Sequence, residues 1–136
     1  MGIKYDLRTI QYRIAFENLT SAKVKDCFLS DKLVVIVNEG ELGKVLGRHG
    51  KNIKRIANVL KKNLKVIEFS NDLKKFIENI IYPIKAKNIV VQDELVSIAV
   101  DGVSEKGKLI GRNSKNINET KQLVSNYFKI KDIKII

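Results

Sequence analysis

The sequence contains few of the residues that characterise catalytic, metal-binding or secreted proteins. Its 136 residues include one cysteine, one histidine, one proline and no tryptophan. A single cysteine excludes an intramolecular disulfide and suits a reducing compartment, so we expect a cytoplasmic protein. Cys27 itself is expected to be a small buried side chain rather than a reactive thiol.

Motifs for nucleotide hydrolysis, dinucleotide binding and metal binding are absent as well. The chain has no G-x-x-x-x-G-K-[ST] loop, and its only histidine, His49, has no Cys or Asp at metal-ligand spacing and no second acid or base beside it. We therefore expect a protein that is not an enzyme and that uses no cofactor, metal or small-molecule substrate. No apolar run approaches the roughly 20 residues that cross a bilayer, so no membrane partner is expected.

Acidic residues are scarce relative to basic ones. The chain has 26 Lys and Arg against 15 Asp and Glu, a net charge of +11, and 44% hydrophobic residues. The apolar content is sufficient for a folded core. The charge excess attracts polyanions, which include RNA, DNA and anionic membrane surfaces, and it favours a nucleic acid.

A duplication organises the chain. The run GKVLGRHGKNI at residues 43–53 matches GKLIGRNSKNI at residues 107–117 in seven of its positions, and the strand-like residues 32–40 resemble residues 94–102. The repeat predicts two modules, at residues 1–69 and 70–136. Each is expected to have the element order helix, strand, strand, helix, helix, strand, which is an α+β fold.

Hydrophobic spacing predicts the individual elements. The first module is expected to begin with a moderately amphipathic helix that has Leu7, Ile10 and Ile14 on one side. A β-branched run at Leu33–Val37 predicts a buried strand. The second module is expected to begin with a helix after Ser70, Asn71 or Asp72 as the cap and to end that helix at Pro83. The predicted elements are helices at 7–19 and 51–62, the helix that Pro83 ends, short helices before each glycine loop, a helix up to residue 125, and strands at 26–29, 33–37, 64–69, 88–91, 95–100 and 129–136.

The first glycine loop, GRHG at residues 47–50, joins two predicted helices. Glycine permits backbone angles that a Cβ resists and lets another backbone approach closely. The amides at the start of the next helix lack partners, and the helix dipole favours negative charge there. The loop is therefore expected to bind a phosphate.

The segment from Val45 to Ile53 has a pattern typical of the KH domain, which is two aliphatic residues, Gly-x-x-Gly, two further residues and Ile. The chain resembles that family over nearly its whole length. The element order resembles the type II arrangement. Two fused modules of this kind resemble the short, KH-only archaeal form of the transcription factor NusA. The resemblance implies three-stranded sheets and capture of about four nucleotides of single-stranded RNA per module.

Carried over by position, the resemblance implies specific contacts to RNA. Ser114 departs from the pattern, because it replaces the second glycine of the loop, so the second site is expected to be weaker or mainly structural. The basic run that follows the first loop adds Lys54 and Arg55. The candidate RNA-binding residues are Lys44, Gly47, Arg48, His49, Gly50, Lys51, Lys54, Arg55, Lys108, Gly111, Arg112, Asn113, Ser114 and Lys115, and the candidate groove-lining residues are Val45, Leu46, Ile53, Leu109, Ile110 and Ile117.

Three functions are compatible with these features. The first is a transcription elongation or termination factor that holds nascent RNA and contacts RNA polymerase. The second is a ribosome-associated or ribosome-assembly protein that uses the same loops as anchors. The third is a single-stranded DNA-binding protein, which would be indifferent to the 2′-hydroxyl.

Overall fold

A computed structural model of the chain describes residues 7–47 and 52–136. The chain divides between Ser70 and Asn71 into two compact units. Each unit has the element order expected from the sequence, and each contains one three-stranded sheet.

The first unit is built on the central strand of its sheet. In the order in which they occur, its elements are α1 (Leu7–Thr20), β1 (Val24–Leu29), β2 (Leu33–Val37), α2 (Leu42–Leu46), α3 (Asn52–Leu60) and β3 (Leu64–Glu68). Strand β2 pairs antiparallel with β1 and parallel with β3. Every residue of β2 is buried, as its β-branched run predicts.

One face of this sheet carries the core of the unit. Leu33, Val35 and Val37 of β2 cluster with Phe16 of α1, and the cluster includes Val45 of α2 and Ile56 of α3. The two helices on either side of the first glycine loop are thus each fixed to the sheet by a buried aliphatic side chain. The position of the loop follows from that packing.

Helix α1 has a different buried face from the one that its aliphatic spacing suggests. Leu7, Ile10 and Ile14 share one side, but that side is exposed. The buried residues are Thr9, Phe16 and Thr20. Threonine is tolerated there because its hydroxyl finds a backbone partner: Oγ1 of Thr20 donates to the carbonyl oxygen of Phe16 at 2.8 Å.

The second unit repeats the topology of the first. Its elements are α4 (Leu73–Ile81), β4 (Asn88–Gln92), β5 (Leu95–Ala99), α5 (Val103–Ile110), a 3₁₀ turn (Arg112–Ser114), α6 (Lys115–Ser125) and β6 (Asp132–Ile135). Strand β5 is central, antiparallel to β4 and parallel to β6. Asp72 is the cap of α4, since its carboxylate accepts from the N–H of Lys74 at 3.0 Å. The helix ends before Pro83, as predicted.

Two elements are shorter than predicted by more than one residue. Helix α3 ends at Leu60 rather than at residue 62, because Lys61 adopts a left-handed conformation with φ of 56°. Strand β6 spans only Asp132–Ile135, because its ladder with β5 begins at the pair of Asp132 and Leu95. Neither change alters the junctions at which the glycine loops lie.

Candidate nucleic-acid interface

The first glycine loop begins directly after α2. Gly47 has φ of 62° and ψ of −164°, a conformation open essentially to glycine alone, and it is exposed. Its N–H donates to the carbonyl oxygen of Gly43 at 3.3 Å and so closes the last turn of α2. The predicted contacts Arg48, His49, Gly50 and Lys51 lie outside the described residues.

The second glycine loop is described in full. Gly111 has φ of 76° and ψ of 170°, close to the values at Gly47, and its N–H donates to the carbonyl oxygen of Gly107 at 2.8 Å. Asn113 and Ser114 both have left-handed backbones, with φ of 55° and 61°. Arg112, Asn113 and Ser114 are exposed. The loop therefore presents its polar residues to solvent at the start of α6.

An asparagine stands five residues after the first glycine of each loop. The side-chain amide of Asn116 donates to the carbonyl oxygen of Lys108 at 2.8 Å, which ties the start of α6 to the end of α5. A Cβ placed on Gly111 would lie 2.7 Å from Cγ of Asn116. Asn52 has the same relation to Gly47, where a Cβ would lie 3.1 Å from its Nδ2. At Gly111 the neighbouring asparagine excludes a Cβ as well as the backbone angles do, whereas at Gly47 the contact is milder and the backbone angles are the main reason for glycine.

A carboxylate of β3 fixes the start of α2. Oε2 of Glu68 accepts from the N–H of Gly40 and from the N–H of Leu42, both at 3.1 Å. These amides at a helix start have no partner within the helix, so the carboxylate satisfies them and interacts favourably with the helix dipole. The helix that leads into the first loop is therefore anchored at both ends.

The lysine that precedes each loop has an acidic neighbour. Nζ of Lys44 lies 3.1 Å from the Glu41 carboxylate, and Nζ of Lys108 lies 3.8 Å from that of Glu105. A hydrogen bond from the N–H of Lys23, together with the bond from Lys44, lowers the pKa of Glu41. Both lysines are exposed, so these ion pairs are weak and an RNA phosphate can compete for the cations.

Other predicted basic contacts also lie on the surface. Lys54 and Arg55 of α3 are exposed and have no salt bridge within the part of the chain that the structure describes. Lys115 is exposed at the start of α6. Each of these side chains is accessible to a polyanion, and all are placed next to a glycine loop by the helix that follows it.

The predicted groove residues divide into two sets. Val45 is fully buried and Leu109 is only 8% exposed, so both anchor their helices in the core. Leu46 and Ile53 in the first unit, and Ile110 and Ile117 in the second, are partly exposed. Of the six predicted groove residues, these four are therefore the ones accessible from solvent.

Sequence reasoning overlooked three kinds of residue here. The asparagines were detectable, because Asn52 and Asn116 are identical positions of the duplicated run. Glu41 and Glu105 were detectable too, since both stand three residues before the loop lysine. Glu68 carries no such signal, because it reaches α2 from the far end of a different strand.

Within residues 7–47 and 52–136, no three His, Cys, Asp or Glu side chains are grouped so as to hold a metal ion. No helix in the same ranges combines the length and apolar character needed to cross a bilayer.

Comparison with known proteins defines the class. A family model of the KH domain matches residues 10–71. The crystal structure of APE1850 superimposes with a TM-score of 0.70 at 28% identity and covers 97% of this chain and 100% of its own. Together with the repeated topology, these matches make the chain a protein of two tandem KH modules.

Curated relatives define the family more narrowly. The "Probable transcription termination protein NusA" of Methanococcus vannielii is 33% identical over 141 residues, which cover 100% of this chain and 81% of the relative. The protein of the same name from Methanocaldococcus jannaschii is 30% identical and covers 89% of this chain. That of Halobacterium salinarum is 28% identical over 99% of both chains. The chain belongs to the NusA family.

Proposed function

We propose that this protein binds single-stranded RNA through its two glycine loops and acts as a transcription termination or elongation factor. The modules are those predicted at residues 1–69 and 70–136, and the protein works without catalysing a reaction. Its partners are nascent RNA and RNA polymerase, which places it in the cytoplasm.

The observation that carries the RNA proposal is the glycine loop at each helix junction. Gly47 and Gly111 share a conformation that is open essentially to glycine, and each lies between the end of one helix and the start of the next. Amides and dipole at that point favour phosphate. Exposed basic side chains add charge attraction, and the partly exposed aliphatics beside the loop suit a base.

The transcription part of the proposal is supported by the relatives. Their printed names describe a termination protein, and three of them match this chain over 89% or more of its length. A factor of this kind holds the emerging transcript. The sequence-based alternative, attachment to ribosomal particles, uses the same loops.

Two measurements test the function. RNA and DNA oligomers of matched sequence should be compared in a binding titration, where we expect RNA to bind more tightly because the 2′-hydroxyl distinguishes the two. The tagged protein should co-fractionate with RNA polymerase. Equal affinity for DNA would refute RNA specificity, and co-fractionation with ribosomal particles alone would refute the transcription role.

Loop variants locate the site. Replacing Arg48 and His49 together by Asp is expected to abolish most RNA binding, since two negative charges then face the phosphates. Replacing Arg112 and Asn113 by Asp is expected to have a smaller effect. Unchanged RNA affinity in the first variant, with an unchanged circular dichroism spectrum, would show that the first loop is not the binding site.

A further inference from the structure

A row of basic side chains extends from the first glycine loop along the outside of α3. Lys54, Arg55 and Asn58 lie on the side of the helix away from the sheet, and Lys61 and Lys62 follow in the turn after Leu60. All are exposed except Lys62, which is partly exposed. These five residues are called the α3 ridge below.

The positive charge of the ridge is not compensated. The sequence has no Asp or Glu from residue 42 to residue 67. Among the residues that the structure describes, no carboxylate forms a salt bridge with Lys54, Arg55, Lys61 or Lys62. A surface with four unpaired cations attracts a polyanion, and the attraction depends strongly on salt.

The far end of the ridge forms an open hollow. Its volume is about 490 Å³, and it is lined by Asp31, Ala57, Asn58, Lys61, Lys62 and Asn63. Ammonium and amide groups supply donors to phosphate oxygens. Lys61 lies about 10 Å along the helix axis from Lys54, at 1.5 Å per residue, so one phosphate cannot contact both lysines. The ligand must be an extended polyanion.

Lys61 occupies a position that is unfavourable for lysine. Its φ of 56° is the left-handed conformation in which helices most often have glycine. A side chain in this conformation costs roughly 1 kcal/mol, which a use of the lysine would offset. Interaction of the ammonium with the helix dipole is one such use, and binding of an external anion is another.

The second unit shows that the fold does not require this charge. At the offset of 64 residues set by the glycine loops, the ridge positions correspond to Asn118, Glu119, Gln122, Ser125 and Asn126, none of which is basic. A smaller hollow of about 360 Å³ lies there, and its one lysine, Lys121, forms an ion pair with Asp132. The positive ridge is thus specific to the first unit.

We propose that the α3 ridge binds the phosphates of RNA that continues beyond the first glycine loop, so that the first module holds more RNA than its groove alone. The inference rests on the proposed RNA-binding function. The ridge starts at the end of α3 that follows the loop in the chain, so RNA that continues past the loop along this helix would contact it. An acidic protein surface is the competing ligand, and the experiment distinguishes the two.

The test compares RNA lengths. An unstructured RNA of four nucleotides is long enough to fill one groove only, whereas one of 20 nucleotides also reaches the ridge. Lys61→Gln with Lys62→Gln should lower the affinity for the longer RNA roughly fivefold and leave that for the shorter one unchanged. The salt dependence, plotted as log K against log salt, should become shallower by about 1.4, the value for two lost phosphate contacts on a single strand.

Lys74→Gln with Lys75→Gln is the matched control. These two exposed lysines lie in the first turn of α4, and their loss changes the net charge by the same amount. The control should bind both RNAs like the native protein. An equal loss in the control, or an equal loss for both RNA lengths, would overturn the ridge proposal.

Lys61→Gly separates the two uses of the side chain. Glycine relieves the left-handed backbone, so the melting temperature should rise, while the affinity for the longer RNA should fall. A change in stability with no change in RNA binding would show that Lys61 serves only the helix.

Asp31 provides a test of opposite sign. It is the one carboxylate in the hollow, so Asp31→Asn should strengthen binding of the longer RNA. Unchanged affinity would show that phosphates do not enter the hollow.

Native protein that bound neither RNA would refute the RNA-binding function itself, whereas equal affinity for both lengths would refute the ridge alone. Loss of polymerase association without loss of RNA affinity in the double variant would assign the ridge to a protein partner.

Discussion

Asn116 fills the space beside Gly111 that a side chain at that position would need. Its Cγ lies 2.7 Å from where a Cβ of Gly111 would be, and its amide donates to the carbonyl oxygen of Lys108 at 2.8 Å. The same residue thus closes the end of one helix and sets the chain direction into the next. Asn52 stands in the equivalent relation to Gly47.

Asn116→Ala is expected to lower the free energy of unfolding by about 1 kcal/mol, because it removes one hydrogen bond that links two helices. Urea denaturation measures the change. Asn118→Ala is the control, since Asn118 is an exposed asparagine on the same helix. Equal effects of the two substitutions would show that the bond to Lys108 contributes nothing.

Gly111→Ala should lower stability by about 1–3 kcal/mol, because of its backbone angles and its contact with Asn116. Part of that loss should disappear when Asn116 is already alanine, since the close contact with its Cγ is then gone. A double-mutant cycle measures the coupling. Strict additivity would show that the backbone angles alone require glycine.

Ser114→Gly is expected to stabilise the protein by about 1 kcal/mol, since Ser114 has φ of 61° and glycine adopts that conformation without a Cβ conflict. Thermal unfolding measures the gain. RNA affinity should rise or stay the same, because glycine also permits a closer approach to the loop. A marked loss of affinity would mean that the hydroxyl of Ser114 contacts RNA.

Glu41→Gln should increase RNA affinity, because it removes a carboxylate that lies 3.1 Å from Nζ of Lys44. Glutamine keeps an oxygen that can accept from the N–H of Lys23, so the fold should be retained.

The lowered pKa of Glu41 means that its contribution to stability is present above its ordinary pKa and is lost as the pH falls through the lowered value. The variant should therefore lose less stability in acid. Glu78→Gln, at an exposed acid on α4, should change neither property.

Much of the fold could be predicted from the sequence, because the signals were local and repeated. Strand β2 matches its predicted limits, since a β-branched run between turn residues favours a buried strand. Helix α4 follows its apolar spacing, with Phe76, Ile77 and Ile80 buried. Helix α1 was less predictable: its aliphatic face is exposed, and the two buried threonines show no apolar periodicity.

The helix junctions that flank the glycine loops were predictable from the sequence, but the conformation of the second loop was not. The glycine pattern predicted both helix junctions, because Gly47 and Gly111 have backbone angles that only glycine adopts easily. Asn113 has a left-handed backbone next to that of Ser114. No feature of the sequence predicted this conformation of Asn113, since it depends on how α5 and α6 meet. The Glu68 contact to α2 was equally hidden, because it joins residues 26 positions apart.

Cys27 should resist thiol reagents in the folded protein and react only on unfolding. Burial raises its pKa from 9.0 to about 11, so the reactive thiolate is scarce at pH 8, and the side chain is fully buried. A folded-state pKa above the unfolded one gives stability that is complete below pH 9.0 and is lost as the pH rises toward about 11. Cys27→Ala lacks this titration, so the difference in stability between the native protein and the variant should shrink over that interval. Rapid modification of native Cys27 at pH 8, without added denaturant, would contradict the burial on which this prediction depends.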